Sequence, residues 1–495
     1  MHDETVATWS HEEFGHAELG DKRLKARLVH MLGRVMENRA GKITEVFSSE
    51  AERKGAYRLL ENDNVLVESL VDAAGIACAR RSAAYPLVIV PVDGSSAKLA
   101  DPIGALGAIG TYAAGARGIK VISAIAASPE GEPLGLIHQA QWMRPPKSTT
   151  KRKAKRRARS KEQRAKDKRR AKQKARLQRK RPVHQKETQH WIDTIVTTKR
   201  RFEDHAPQTK CWFQLDREAD AWPIHQALLD HRPDDWFTVR ASSDRRVTQA
   251  DGSLGYLRST LASQLPIGSY VLDVPAGKKR TARRAHMEIS VAKVVVDAGD
   301  KRTDKRHALS LHAVWAHEVG TTPPGEKPLD WLLLTNHPND TLEQAQLVID
   351  NYTKRWRIEE VHKTWKSGGC GIESSQLHTG PAVMKWSTIL FTVAVRIERI
   401  KYLSRTSPDL PASVEFSSYE IRALLLLKRK QKKRTETIPD TIPPIAQAAR
   451  WIADLGGYTG KSSGGPFGSI TLGRGLTKVV AVASALEVLD EESKI

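Results

Sequence analysis

Cysteine is nearly absent: Cys78, Cys211 and Cys370 are the only three in a chain of 495 residues. None belongs to a CxxC pair or stands near paired histidines, which excludes a disulfide framework and a thiolate zinc site. Long apolar runs are missing too. No stretch approaches about 18 uninterrupted apolar residues, so no transmembrane helix is expected. The opening Met-His-Asp-Glu-Thr lacks the basic-then-apolar layout of a secretory signal. A reducing, cytoplasmic setting without membrane partners follows as an expectation. No internal repeat is apparent. The length suggests roughly two to four domains. With 40% hydrophobic and 28% charged residues, the chain has the composition of a globular protein and not of a disordered one.

Positive charge is what the sequence holds in excess. Eighty basic against 57 acidic side chains give +23. Most of it is local: Lys147 to Arg181 carries 20 Lys and Arg against Glu162 and Asp167, leaving only about +5 elsewhere. Such a block repels itself and has a single sizeable apolar side chain, Leu177, so it cannot collapse alone. Its natural partner is a polyanion held by counterion release.

Three patterns succeed one another. Residues 1–70 read as helical, with Leu24, Leu28, Met31, Leu32 and Val35 at helical spacing and a capping box at Ser49 and Glu52. From Tyr85 the chain reads as a mixed α/β sheet. Leu87–Val92 is a buried strand ending on Asp93 and a turn-like Gly94-Ser95-Ser96. Gly118–Ala126 and Gly135–Trp142 are further strands, and Cys211–Leu215 ends on Asp216 before a helix. Trp236 to Leu334 reads as an inserted β subdomain. Helix returns over Thr341–Lys366, Val383–Ile400 and Ser418–Leu427, with a proline-marked break at Pro439, Pro443 and Pro444.

Asp93 and Asp216 each follow an apolar strand, and carboxylates at strand ends of an α/β sheet project from the edge where ligands bind. Two such acids repel, and a divalent cation resolves the repulsion; Mg²⁺ prefers a few carboxylates with phosphate and water oxygens. The helix from about Leu342 adds a polar face. At about 100° per residue, Arg355, Glu359 and Lys366 fall within roughly 60° of Tyr352, while Ile358, Val361 and Trp365 face the opposite side. Glu359 can complete a two-metal site, with Arg355 and Lys366 holding phosphates beside it and Tyr352 hydrogen-bonding a phosphate or packing. A glycosidase use of paired carboxylates fits neither the charge nor this phosphate-holding face.

The stretch Tyr352-Thr-Lys-Arg-Trp-Arg-Ile-Glu-Glu-Val-His-Lys-Thr-Trp-Lys366 resembles the Y-x2-R-x3-E-x6-K signature of bacterial insertion-sequence DDE transposases. More narrowly it resembles the IS-four family and its Tn-five-like members. Asp216-Arg-Glu-Ala-Asp220 resembles the second-acid motif of these proteins and Val92-Asp93 the first. Leu19–Arg27 and Gly55–Arg58 resemble their N-terminal DNA-contact region, and Trp142-Met-Arg144 and Pro328–Thr335 resemble parts of their catalytic domain.

The resemblance implies an RNase H-like mixed α/β catalytic core over 71–380, with a basic insertion at 147–186 and a β-rich insertion at about 236–335. A helical DNA-binding domain (1–70) and a C-terminal helical domain (381–495), expected to dimerise, flank it. Asp93, Asp216 and Glu359 are the implied catalytic, metal-binding carboxylates for two Mg²⁺ or Mn²⁺ ions. Tyr352, Arg355, Lys366 and Trp331 are implied contacts to a flipped end nucleotide and its phosphates, and Arg27 and Arg58 contacts to transposon-end DNA. The implied activity is cut-and-paste transposition: hydrolysis, hairpin formation, hairpin opening and strand transfer by a homodimer acting on double-stranded transposon ends and target DNA near the bacterial nucleoid. The basic insertion, which lacks a counterpart of this size in the family, is expected to grip flanking or target DNA through phosphates. A catalytically inactive domesticated DNA-binding relative, and a nuclease that cuts without joining, are the alternatives.

Overall fold

The computed structural model describes residues 6–110, 116–144, 161–249, 252–277, 280–299, 303, 305–431, 438–460 and 465–492. The first part of the basic block, 147–160, lies outside the described residues.

The centre is a sheet. β1 (Leu87–Leu99), the two-residue β2 (Gly107–Ala108), β3 (Arg117–Ala127) and β4 (Pro133–Trp142) are antiparallel neighbours, with β3 paired to β1 on one side and to β2 and β4 on the other. β5 (Lys210–Leu215) and β6 (Trp236–Arg240) run parallel to β1, giving the order β4-β3-β1-β5-β6. Val88, Ile89, Val90 and Val92 are all fully buried. Both faces of β1 are therefore covered, which explains why its sequence is a continuous apolar run and not an alternation.

The later strands are β7 (Arg246–Thr248), β8 (Leu254–Tyr256), β9 (Gly268–Val274), β10 (Arg283–Gly299), β11 (Arg306–Val319) and β12 (Asp330–Thr335). Expected as an inserted subdomain, they do not form a sheet of their own. β12 returns antiparallel to β6, placing Leu333 opposite Arg240, and carries β11 and β10 onto the same twelve-stranded sheet. The open backbone edge of β6 is thereby covered, which is how a sheet avoids an exposed edge.

The helix Lys22–Glu37 buries Leu28, Met31, Leu32, Val35 and Met36, and Asp21 caps it by accepting from the Arg23 amide at 2.7 Å. Ser49 caps the helix Glu50–Leu60 by accepting from the Glu52 amide, as its sequence predicts. Both helices share one apolar core with Gly380–Thr406, Ile445–Leu455 and Ser469–Glu492. Gly380–Thr406 is buried along most of its length. Its buried Lys385 is satisfied by the carbonyls of Leu60 and Asn62, which ties the N-terminal helices to it. No described helix is long and apolar enough to cross a membrane.

Two local expectations need correction. Gly94-Ser95-Ser96 is strand, not turn: β3 keeps pairing with β1 through Ile122, Val121 and Lys120 after β5 has ended. The helix expected to run unbroken to Lys366 is two helices, Leu342–Thr353 and Trp356–Lys363, followed by a π-turn over Thr364–Gly368. Lys354 and Arg355 make the first break, where Lys354 Nζ donates to the Asn351 side chain and the Pro129 carbonyl. Thr364, hydrogen-bonded to buried Glu398, begins the second, and Gly368-Gly369 favours leaving the α-helix there.

Candidate active site

β1 and β5 pair in parallel as far as Val92 and Leu215. The next residue on each strand is an aspartate. At that point β5 stops and Asp216 turns the chain into a 3₁₀ segment, Arg217–Ala219, its carboxylate accepting from the Glu218 amide at 2.8 Å. β1 continues, paired only with β3, and Asp93 lies opposite Ser123. The two strands thus part at the level of the two acids and open a crevice at the carboxyl ends of a parallel pair, where α/β sheets bind ligands.

Across this crevice lies the helix Trp356–Lys363, held down by fully buried Ile358 and Val361. It presents Glu359, while Arg355 at its start is 7% exposed. The Arg355 guanidinium spans the acids, with Nη2 2.6 Å from Glu359 Oε1 and Nη1 3.8 Å from Asp93 Oδ2. Burial and the neighbouring Asp216 push the Asp93 carboxyl up to about 7; Glu359 adds to this, and Arg355 and the Gly94 amide oppose it. Negative charge is therefore crowded here beyond what one guanidinium offsets. Lys366, in the π-turn, faces Glu373 and Asp93, and burial lowers its pKa.

Tyr352 is placed differently from its expected position on the polar face. It is 5% exposed and packs in the apolar cluster of Ile89, Trp212 and Leu333. Its phenol still borders the site, close to Arg355, Arg240 and Asp216, and burial raises its pKa. Trp331 on β12, half-buried and opposite Ala316, meets the Tyr352 ring edge-on at 6.4 Å. Sheet and helix thus bring Asp93, Asp216, Glu359, Trp331, Tyr352, Arg355 and Lys366 together. Arg27 and Arg58 lie apart, on the N-terminal helices. Both are exposed, and the Arg27 guanidinium lies across Gly55, where a Cβ would sit 1.6 Å from its Nη1. Arg58 follows Gly55 by three residues and so shares its face.

The donor set, three carboxylates at a crowded negative edge, fits a hard divalent cation with oxygen ligands. Among the described residues no three acidic, histidine or cysteine side chains are already converged on one ion position. Arg355, lying between Asp93 and Glu359, offsets part of their charge.

Two features escaped the sequence. Arg240, at the end of β6, donates to the Asp330 carbonyl and faces Tyr352; only the β6–β12 pairing brings it there. Asp220, last residue of the second-acid motif, is buried and accepts from Arg245 (2.5 Å) and the Ser242 amide (2.7 Å), with His225 Nε2 at 3.0 Å. Against burial, the hydrogen bond with His225 and then the ion pair and hydrogen bond with Arg245 hold its carboxyl far below the usual range. The five-residue spacing of Asp220 and His225 was a signal within reach.

Comparison with protein families matches residues 6–65 to a model described as transposase DNA-binding. Residues 134–396, more than half of the chain, match the transposase DDE domain, and 392–488 match the transposase Tn5 dimerisation domain. The second match begins beyond Asp93, so the place of that residue rests on geometry alone.

Proposed function

Because the chain belongs to the Tn5-like DDE transposases of the IS-four family, we propose that it catalyses cut-and-paste DNA transposition at the crevice between β1 and β5. The single observation that carries this reading is the pair Asp93 and Asp216 at diverging parallel strands, with Glu359 facing them from a helix across the gap. The strand order β4-β3-β1-β5-β6 supports an RNase H-like core for it.

Divalent ions held by Asp93, Asp216 and Glu359 would supply Lewis acidity to attacking and leaving oxygens of an in-line displacement. The chain's own groups do the positioning. Arg355, ion-paired to the acids, has the planar fork that suits a phosphate, and Lys366 offers a second cation from the π-turn. Arg355 lies where its guanidinium could pair with a scissile-strand phosphate, and Asp93, Asp216 and Glu359 would hold the ions. Trp331, half-buried and backed edge-on by the buried Tyr352 ring, is an aromatic face beside these cations, suited to stacking a nucleotide extruded from the duplex. Such an extrusion lets a freed 3′-hydroxyl reach the opposite strand and close a hairpin. Arg27 and Arg58, exposed on one N-terminal face, are the proposed contacts to the transposon end. Hydrolysis, hairpin closure, hairpin opening and joining then differ only in the nucleophile.

Incubating the protein with duplexes bearing the DNA that borders its own gene, with Mg²⁺ or Mn²⁺, tests the reading. Nicked ends followed by hairpins, absent with Glu359→Ala, are expected. Binding without any cleavage would identify an inactive relative, and cleavage without hairpins or joining a simple nuclease.

A further inference from the structure

We propose that the basic helix Lys161–Lys180, which lies in the chain between β4 and Glu187, is a braced arm that grips the phosphate backbone of a DNA duplex at the active-site edge of the sheet, whatever its base sequence. The proposal rests on the transposase reading for the identity of the polyanion, and on three independent observations for the arm itself.

The first is charge without an apolar seat. The helix Lys161–Lys180 has eleven Lys and Arg against Glu162 and Asp167. Lys166, Lys168, Arg169, Arg170 and Lys172 are exposed, and Leu177 is 64% exposed. At about 100° per residue, Arg169, Lys166 and Arg170 share one arc, and Lys168 and Lys172 lie on the other side. Cations on two sides, including like-charged i,i+4 pairs that oppose the helix on its own, match a surface of closely spaced phosphates. A membrane would require the apolar face that this helix lacks. Its length of about 30 Å is close to one turn of B-DNA.

The second is the brace. Arg144 and Glu187, at the two ends of the segment, form a forked ion pair (Nη2 to Oε2 2.6 Å). Lys120 of β3 joins the same carboxylate at 2.8 Å, and Trp142 Nε1 donates to it at 3.3 Å. Trp142 also stacks on His190 with ring centroids 4.0 Å apart. A loose spacer would not need its ends pinned to the sheet; a lever that must hold a duplex in place does.

The third is position. Trp142 pairs with Lys120, and Lys120 with Ser96, three residues beyond Asp93 on β1. Both ends of the segment, Arg144 and Glu187, are therefore anchored at the edge that carries the acids, which puts a duplex held by the helix near the crevice.

The test uses the full-length protein and an unrelated duplex of about 40 bp as probe, with binding read by fluorescence anisotropy between about 50 and 200 mM salt. One variant replaces 148–181 by a short Gly-Ser linker. A second converts Lys166, Lys168, Arg169, Arg170 and Lys172 to Gln and keeps the helix. The Gln variant is expected to make the log–log salt slope shallower by about four, and the linker variant by at least as much, since each released phosphate contact contributes about 0.9. At the low-salt end the affinity should fall by about a hundredfold or more. Glu187→Ala isolates the brace. It raises the net charge, so simple electrostatics would tighten binding, whereas loss of the brace weakens it by about tenfold with the slope kept. Wild-type slopes in both charge variants, or tighter binding by Glu187→Ala, would overturn the proposal. Metal-dependent nicking measured on the wild-type protein separates the two readings: its failure there sinks the transposase reading while the slopes still report on the arm.

Discussion

At the scale of single residues, the site is organised by Arg355, which lies between Asp93 and Glu359 where opposite charge is most needed. Each carboxylate tests a different part of this. Asp93→Asn, Asp216→Asn and Glu359→Gln are each expected to lower metal-dependent cleavage by at least about a hundredfold while end binding in gel shifts is retained. Asp93→Asn should also stabilise the metal-free protein. A carboxyl raised from its ordinary value to about 7 binds its proton more tightly folded than unfolded. Stability is therefore present at low pH and lost as pH rises from about 4 through 7. At pH 8 the amide should recover up to about 4 kcal/mol, roughly 1.4 for each of about three pKa units, read as a higher melting temperature; no gain would mean that the acids are not crowded. His362 carries the opposite sign. Burial pushes it down to about 3, beside the Ser123 hydroxyl at 3.2 Å, so the unfolded chain takes up its proton first and stability falls as pH drops below about 6.5. His362→Gln should flatten that acid limb. Trp331→Ala, by removing the aromatic face, should reduce hairpins relative to nicks by about tenfold or more.

At the scale of elements, function depends on where pairing stops. The run Leu87–Val92 was legible because β-branched residues buried on both faces leave no other use for them. The extension through Gly94-Ser95-Ser96 was not, because it is decided by β3, a partner some 30 residues away. The Y-R-E-K stretch was legible as helix with a buried side, yet its two breaks arise from tertiary partners, Pro129 for Lys354 and Glu398 for Thr364. Tyr352 and Arg355 are both buried beside the first break. On the N-terminal helices, Gly55→Ala should improve helix propensity by about 1 kcal/mol and raise the melting temperature. Because its Cβ would displace the Arg27 guanidinium, binding to the transposon end should fall by about tenfold at the same time. A variant gaining both stability and affinity would show that Arg27 is not a DNA contact.

At the scale of the molecule, one apolar core joins the N-terminal helices, Gly380–Thr406 and the C-terminal helices. The segment matched to the Tn5 dimerisation domain therefore belongs to the same packed body as the helices matched to the transposase DNA-binding model. Its last helix, Ser469–Glu492, leaves Val488 and Leu489 more than half exposed. Changing both to Lys should weaken dimer formation by about tenfold or more, measured by light scattering on the DNA complex, without lowering the melting temperature of the monomer. The sequence by itself determined the family and the basic segment and singled out Asp93, Asp216 and Glu359 as candidates, because charge, apolar periodicity and motif spacing are local properties that survive in any conformation. Only the tertiary structure decided that Asp93 and Asp216 share a crevice with Glu359 under one guanidinium, that β12 closes β6 and brings Arg240 to Tyr352, and that Arg144 and Glu187 pin the arm beside them. Those are meetings between distant parts of the chain, fixed by strand register and packing that no local pattern encodes.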